Sequence, residues 1–177
     1  IVRTDLYWPL KDAFGERLLP GVPLARFTAA RLGGAADLFL EAQSVEELVR
    51  AISICWEKEI PCLLLGGGSN LLVSDTGVRG LVILNRARNV RFNEDPHPPT
   101  VWAESGANFG LVARQAAQRG WSGLEWAAGI PGTIGGAVVG NAGAHGGDMA
   151  GNLIVAEILH LSKEDAGVNY RREEWSV

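Results

Sequence analysis

The sequence predicts an α+β fold of two lobes, and three observations carry that prediction. A strand–helix–strand–strand order follows Arg26. A second strand and helix resume after a polar stretch holding Pro96, Pro98 and Pro99. Each lobe carries a glycine cluster, Gly66-Gly67-Gly68-Ser69-Asn70 in the first and Gly129-Ile130-Pro131-Gly132-Thr133-Ile134-Gly135-Gly136 in the second. On this reading residues 1–22 are an N-terminal arm, 23–88 the first lobe and 89–177 the second, incomplete at its C-terminal end.

Taken in order, residues 8–19 suit a short helix, followed by an extended arm with Pro20 and Pro23. Asp37-Leu38-Phe39-Leu40-Glu41 reads as a strand. Ser44 and Glu47 have the capping-box spacing, so a helix starts there. Val45, Leu48, Val49, Ile52 and Trp56 fall on one helical face, and Pro61 lies beyond the expected stop. Cys62-Leu63-Leu64-Leu65 is a continuous apolar run, as in a buried strand. Leu71-Leu72-Val73 and Leu81-Val82-Ile83-Leu84 are read as two more strands. Val90 to Phe92 suits an edge strand and Val101 to Glu104 another strand. Asn108 can cap a second helix with Phe109, Leu111, Val112 and Ala116 inward, closed by Arg119-Gly120. Residues 153–161 suit a strand, 168–171 its hairpin partner, and 173–177 the start of a helix.

At 177 residues, 47% hydrophobic and 20% charged, the chain is globular. Its net charge of −4 argues against a partner held by phosphate neutralisation along a nucleic acid, but a small anion needs only a few local donors. No apolar run approaches the ~20 residues of a membrane helix, and the start lacks a signal peptide's order. Cys55 and Cys62 make no CxxC or secreted pattern. A cytoplasmic protein with no membrane partner is the expectation. His97, His145 and His160 lack metal-ligand spacing, so no metal is expected.

The glycines carry the chemistry. Each costs roughly 0.5–1 kcal/mol of backbone entropy relative to alanine, so a core has no use for so many. Residues 66–70 expose consecutive backbone N–H groups, which suits either a phosphate-binding concavity or a flexible hairpin turn. No Gly-Lys-Ser/Thr follows, and Leu71 occupies the third position of a G-x-G-x-x-G. The second cluster makes neither a good helix nor a good strand on this reading. It is flanked by apolar Leu124, Trp126, Ala127, Ala137 and Val138, so its backbone is half buried and needs partners. Two glycine loops, one per lobe, can close on one diphosphate; two unrelated structural loops are the alternative. Glu125 between apolar neighbours is either a carboxylate with a raised pKa or a structural acceptor for the glycine loop.

These segments, together with 122–137 and Asn141-Ala142-Gly143-Ala144-His145-Gly146, resemble UDP-N-acetylenolpyruvoylglucosamine reductases of bacterial peptidoglycan synthesis. Phe27-Thr28 followed by Arg31, Gly33 and Gly34 is similar to the entry of that family's flavin domain. The resemblance runs from about Leu18 to the chain end. It implies a two-lobed FAD-binding fold of the vanillyl-alcohol oxidase (PCMH) type, with 23–88 and 89–177 as the FAD-binding lobes. It implies NADPH as reductant and UDP-N-acetylglucosamine enolpyruvate as substrate, reduced to UDP-N-acetylmuramate. FAD would be lined by Gly66, Gly67, Gly68, Ser69 and Asn70, by Gly129, Ile130, Pro131, Gly132, Thr133, Gly135 and Gly136, and by Asn141, Ala142 and Gly143. His145 stands where many members have tyrosine.

The family's Tyr-Arg-x-Ser motif, its serine proton donor and its glutamate are not matched. Tyr170-Arg171 is followed by Arg172 and Glu173, so Arg171 is a surface strand arginine or a weak catalytic candidate. The three catalytic residues are expected beyond Val177, in a C-terminal substrate-binding domain that this chain lacks. Other readings are a different FAD-dependent oxidoreductase of the same fold, with His145 alone suited to covalent attachment, or an FAD-binding fragment without turnover.

Overall fold

The computed structural model describes residues 4–95, 97–160 and 172–176, with backbone only at 4–6 and 172–176. Helix α1 (Thr4–Phe14) passes through a 3-10 turn at Gly15–Arg17 into strand β1 (Leu19–Pro23). The helix expected over 8–19 thus begins and ends earlier, because Gly15 takes φ +58°, the left-handed turn that closes helices. The described part of the predicted arm is packed on the first lobe. Leu10, Phe14 and Leu18 are buried in its core, and β1 pairs antiparallel with β2 (Ala35–Ala42).

Helix α2 (Val45–Glu57) starts where the capping box predicts. Glu47 N donates to Ser44 Oγ at 3.3 Å, and Glu47 Oε2 accepts from Gln43 N at 2.8 Å, one residue ahead of the cap. Arg17 binds the same carboxylate, with Nη2 donating to Oε2 at 2.6 Å and to the Glu41 carbonyl at 2.9 Å. The buried stripe is Leu48, Ala51 and Cys55, while Val45 is exposed. The large residues at 45, 49 and 56 flank the contact line, because small side chains bring the helix close onto the sheet.

Strands β3 (Cys62–Leu65) and β4 (Val78–Asn85) complete a sheet of order β1-β2-β4-β3, in which β2, β4 and β3 run parallel. Side-chain alternation sends Leu38, Leu40, Leu81 and Ile83 into the core under α1 and α2. Phe39, Val82, Leu84 and Leu65 go to the opposite face with Leu24 and Val73. Two expectations change here. Cys62–Leu65 is an edge strand with only Leu65 buried. Residues 71–73 form no strand, because β4, which they lead into, already has β2 and β3 on its two edges. Val73 is buried beside Gly33, and Leu72 is 77% exposed.

The second lobe opens with the antiparallel pair β5 (Val90–Asn93) and β6 (Thr100–Ala103). Helix α3 (Phe109–Gln118) is capped by Asn108, whose Oδ1 accepts from Leu111 N at 2.8 Å, and ends at Gly120 with φ +75°. Phe109, Val112, Ala113 and Ala116 face inward, but Leu111, expected among them, is 46% exposed. A 3-10 turn at Glu125–Ala127 leads through the second glycine cluster to helix α4 (Ile134–Val139). That helix corrects the expectation that the cluster forms no regular structure; Thr133 caps it, its Oγ1 accepting from Gly136 N at 3.4 Å.

Short strands β7 (Gly143–Ala144) and β8 (Gly147–Asp148) form a tight hairpin, and β9 (Val155–Leu159) pairs antiparallel with β10 (Arg172–Ser176). The helix expected over 173–177 is therefore a strand over 172–176: the edge of β9 supplies ladder partners that an isolated turn lacks. The hairpin partner expected at 168–171 lies outside the described residues. Phe109, Ala113, Ala127, Ala137 and Met149 form this lobe's core, with the Trp126 ring edge-on to Phe109 at 5.4 Å. Among the described residues no helix is long and apolar enough to cross a membrane.

The Arg17–Glu47 contact has a pH signature. The guanidinium holds the Glu47 carboxyl down at about 2. A depressed folded-state pKa stabilises fully above the ordinary carboxylate range and loses that contribution as pH falls toward 2. Both side chains are partly exposed, so the expected contribution is on the order of 1 kcal/mol. Urea unfolding at about pH 6 and pH 2.5 should show the native chain losing more stability than Glu47→Gln; parallel losses contradict the assignment.

Candidate functional site

Leu65 and Leu84 stand side by side at the parallel ends of β3 and β4, so the segments leaving both strands emerge at one rim. Ligands of open parallel sheets bind at such carboxyl ends. The first glycine cluster leaves β3 there. It is pinned from behind: Ala29 N donates to the Gly68 carbonyl at 3.0 Å. A side chain at Gly68, with φ +64°, would collide with the Phe27 carbonyl. Only glycine fits that corner.

The second cluster meets the first directly. Ser69 Oγ donates to the Pro131 carbonyl at 3.2 Å, across 62 residues of sequence. A Cβ on Gly67 would stand 3.0 Å from Gly132 Cα, and one on Gly66 2.5 Å from Thr133 Oγ1. The two loops are thus one joined cradle.

Most amides of the second cluster are spent on the scaffold. Ile130 N donates to Ala127 O at 3.0 Å, Ile134 N to Ala107 O at 2.9 Å and Gly135 N to Ser105 O at 2.8 Å. By contrast, the N–H groups of Gly67, Gly68, Ser69, Asn70, Gly132 and Thr133 meet no acceptor among the described residues. Six idle donors on a shared glycine rim suit an anion with several oxygens.

A buried strut sets the distance between the lobes. Asn85, at the end of β4, donates from Nδ2 to Ser105 Oγ at 2.7 Å and accepts from Ala87 N at 3.0 Å. Ser105 in turn takes the Gly135 amide, and a Cβ on Gly135 would come within 2.8 Å of the Ser105 Cβ. Sequence reasoning passed over Asn85 and Ser105. The available signal was an asparagine closing the fully apolar run Leu81-Val82-Ile83-Leu84.

The other expected site residues divide. Pro131 and Gly129 are exposed at the rim, and a Cβ on Gly129 would meet nothing. Ile130 packs on the second core, so it shapes the loop. Asn141, Ala142 and Gly143 follow α4, and their polar groups serve the hairpin: Asn141 Oδ1 accepts from Ala150 N at 2.9 Å, and Gly143 pairs with Asp148. His145 is exposed at the hairpin tip with φ +53°. Arg171 lies outside the described residues.

Glu125 is exposed, and hydrogen bonds from backbone N–H groups, its own and that of Gly123 at 2.7 Å, hold its carboxyl below the usual range. The raised pKa that a buried carboxylate would show is thereby excluded. Trp126 Nε1 donates to Gly123 O and Asn152 Oδ1; Trp121 lies edge-on to Phe92 at 5.6 Å. Beside the cradle opens a cavity of about 540 Å³ between the exit of β4 and α3.

A family described as "FAD binding domain" matches residues 36–159, the span that contains both loops. The chain belongs to this FAD-binding family. It is 42% identical over 175 residues to the UDP-N-acetylenolpyruvoylglucosamine reductase of Rubrobacter xylanophilus, covering 92% of this chain and 58% of that protein. The crystal structure of UDP-N-acetylenolpyruvylglucosamine reductase from Thermus caldophilus superposes with a TM-score of 0.65 at 34% identity, over 81% of this chain and 49% of that one. A solvent-stable cholesterol oxidase superposes at 0.67 with 14% identity, over 90% and 32%, a likeness of fold alone. The chain spans about half the length of the curated relatives it matches. The resemblance to the FAD-binding portion of these reductases is borne out, as is the two-lobed fold of the PCMH type.

The cradle fits the family's cofactor. FAD carries a diphosphate, whose oxygens are acceptors of the kind that six idle amides call for. Gly132, at φ +124° with a prospective Cβ 2.9 Å from Ser69 Oγ, is the sensitive point. Gly132→Ala should lower stability by about 1–2 kcal/mol and weaken FAD at least tenfold in a fluorescence titration; unchanged affinity contradicts the placement.

Proposed function

We propose that this chain is the flavin-binding part of an NADPH-dependent reductase. The reductase converts UDP-N-acetylglucosamine enolpyruvate to UDP-N-acetylmuramate in the cytoplasm, for peptidoglycan synthesis. The observation that carries the reading is the joined cradle of idle amides, in a chain 42% identical to a relative so named. Substrate, reductant and turnover belong to the whole enzyme, and the matched relatives are about 1.7 times as long as this chain.

Bound FAD supplies hydride transfer; the protein supplies position and environment. Gly67, Gly68, Ser69 and Asn70 on one loop and Gly132 and Thr133 on the other would donate backbone N–H groups to the diphosphate. Gly66 and Gly135 permit the close approaches to Thr133 and Ser105 that keep those donors aimed. Gly129, Pro131 and Gly136 lie at the rim, Ile130 shapes the loop, and Asn141, Ala142 and Gly143 would line the flavin end of the bound cofactor. No catalytic residue is assigned within the chain, and these 177 residues alone bind FAD without turning over.

Purified protein is expected to be yellow, or to become so with FAD, and to show no NADPH consumption dependent on the UDP-sugar. A colourless protein that takes up no FAD overturns the reading. Full reductase activity from this chain would place the catalytic residues within it.

A further inference from the structure

The chain holds two cysteines, Cys55 and Cys62, and the flavin cradle uses neither. Cys55 sits in the last turn of α2, fully buried in a core of the first lobe. The helix ends two residues later in a hydrogen-bonded reversal. Ile60 N donates to Cys55 O at 2.8 Å and Glu59 N to Trp56 O at 3.3 Å, with Glu59 at φ +51°. This Schellman closure turns the chain back onto the residue it has just left. Pro61 O then accepts from Leu81 N at 2.9 Å, which fixes the start of β3 against β4. Leu63 and Leu65 pack on the far face of the sheet, so alternation turns Cys62 to the face that α2 covers. Its neighbour across the ladder, Leu81, shares a core with Cys55.

The two sulfurs meet there. The Cys55 thiol donates a hydrogen bond to the Cys62 sulfur, and that bond holds the Cys62 thiol below its ordinary range. The same bond, together with burial, pushes Cys55 up. Cys62 is exposed on an edge strand. The pair divides the roles of a reactive dithiol: an accessible sulfur biased toward thiolate, and a second one in contact but shielded from solvent.

We infer that Cys62 is a peroxide-sensitive modification site and that Cys55 resolves it, closing a reversible disulfide between α2 and β3. The Cys62 thiolate attacks one oxygen of hydrogen peroxide. The O–O bond breaks, and the departing hydroxide takes up the proton the thiol has lost and leaves as water. Cys62 is then a sulfenic acid. The Cys55 sulfur attacks the Cys62 sulfur, the S–O bond breaks, and hydroxide leaves with the Cys55 proton as a second water. Two thiols have lost two electrons and two protons, and the peroxide has become two waters. The new bond fastens the end of α2 to the strand that runs into Gly66.

The test treats the full chain with hydrogen peroxide, alkylates the remaining thiols and digests with trypsin, which cuts after Lys58, between the two cysteines. The peptides carrying Cys55 and Cys62 should stay joined, two hydrogens below their summed mass, and separate on treatment with dithiothreitol. In Cys55→Ala, dimedone should trap Cys62 as the sulfenic acid, which otherwise passes on to sulfinic acid. In Cys62→Ser, a change at an exposed position, Cys55 should oxidise at least about tenfold more slowly than Cys62 does in the native chain. A native chain that keeps both thiols, links only to other chains, or carries Cys62 as sulfinic acid beside a free Cys55 overturns the inference. So does a Cys55 that oxidises as fast in Cys62→Ser.

Discussion

Backbone meets backbone where Gly67 and Gly132 touch, and the site is organised by that approach. A Cβ on Gly67 would stand 3.0 Å from Gly132 Cα, so no larger residue fits at that contact, and the loops meet there although they belong to different lobes. Three ties hold the contact. Phe27 and Ala29 close on Gly68 from behind, Ser69 reaches Pro131, and Ser105 takes the Gly135 amide while itself held by Asn85. The ties at Gly68 and at Asn85 satisfy backbone and amide groups of buried residues. The amides left without an acceptor among the described residues are those of Gly67, Gly68, Ser69, Asn70, Gly132 and Thr133.

The sheet makes this geometry possible. Three parallel strands end at one side, and β4, buried at its centre, delivers Asn85 to the lobe boundary while β3 delivers the first glycine loop. Helices α1 and α2 cover one face of that sheet, and Leu24, Phe27 and Val73 cover the other. The loop is therefore anchored at its start by Leu65, which is buried in the core on that face. In the second lobe α3 and the aromatic pair Phe109–Trp126 hold the glycine-rich segment at both of its ends.

Much of this was legible in residues alone, where local chemistry and tertiary context agree. Ser44 and Asn108 announce helices through their caps, Leu81-Val82-Ile83-Leu84 announces a buried strand, and both glycine clusters announce a close approach. Legibility failed where context decided. Leu71-Leu72-Val73 has strand character, but both edges of β4, the strand it leads into, are taken by β2 and β3. Ile134–Val139 holds two glycines and is nonetheless helical, because Thr133 caps it and Ser105 leaves no room for more than a hydrogen at Gly135. Leu111 matches the inner face by spacing and stands at a cavity wall instead. Asn85 looks like the polar end of a strand, and only the fold shows that it joins the lobes.

The most direct measurement of the central claim is a two-dimensional ¹H–¹⁵N spectrum of the flavin-free chain titrated with FAD. The account predicts the largest shifts at the amides of Gly67, Gly68, Ser69, Asn70, Gly132 and Thr133, with those of Ile134 and Gly135 moving little because Ala107 and Ser105 already hold them. FAD binding that leaves the six rim amides in place and perturbs another region would contradict it.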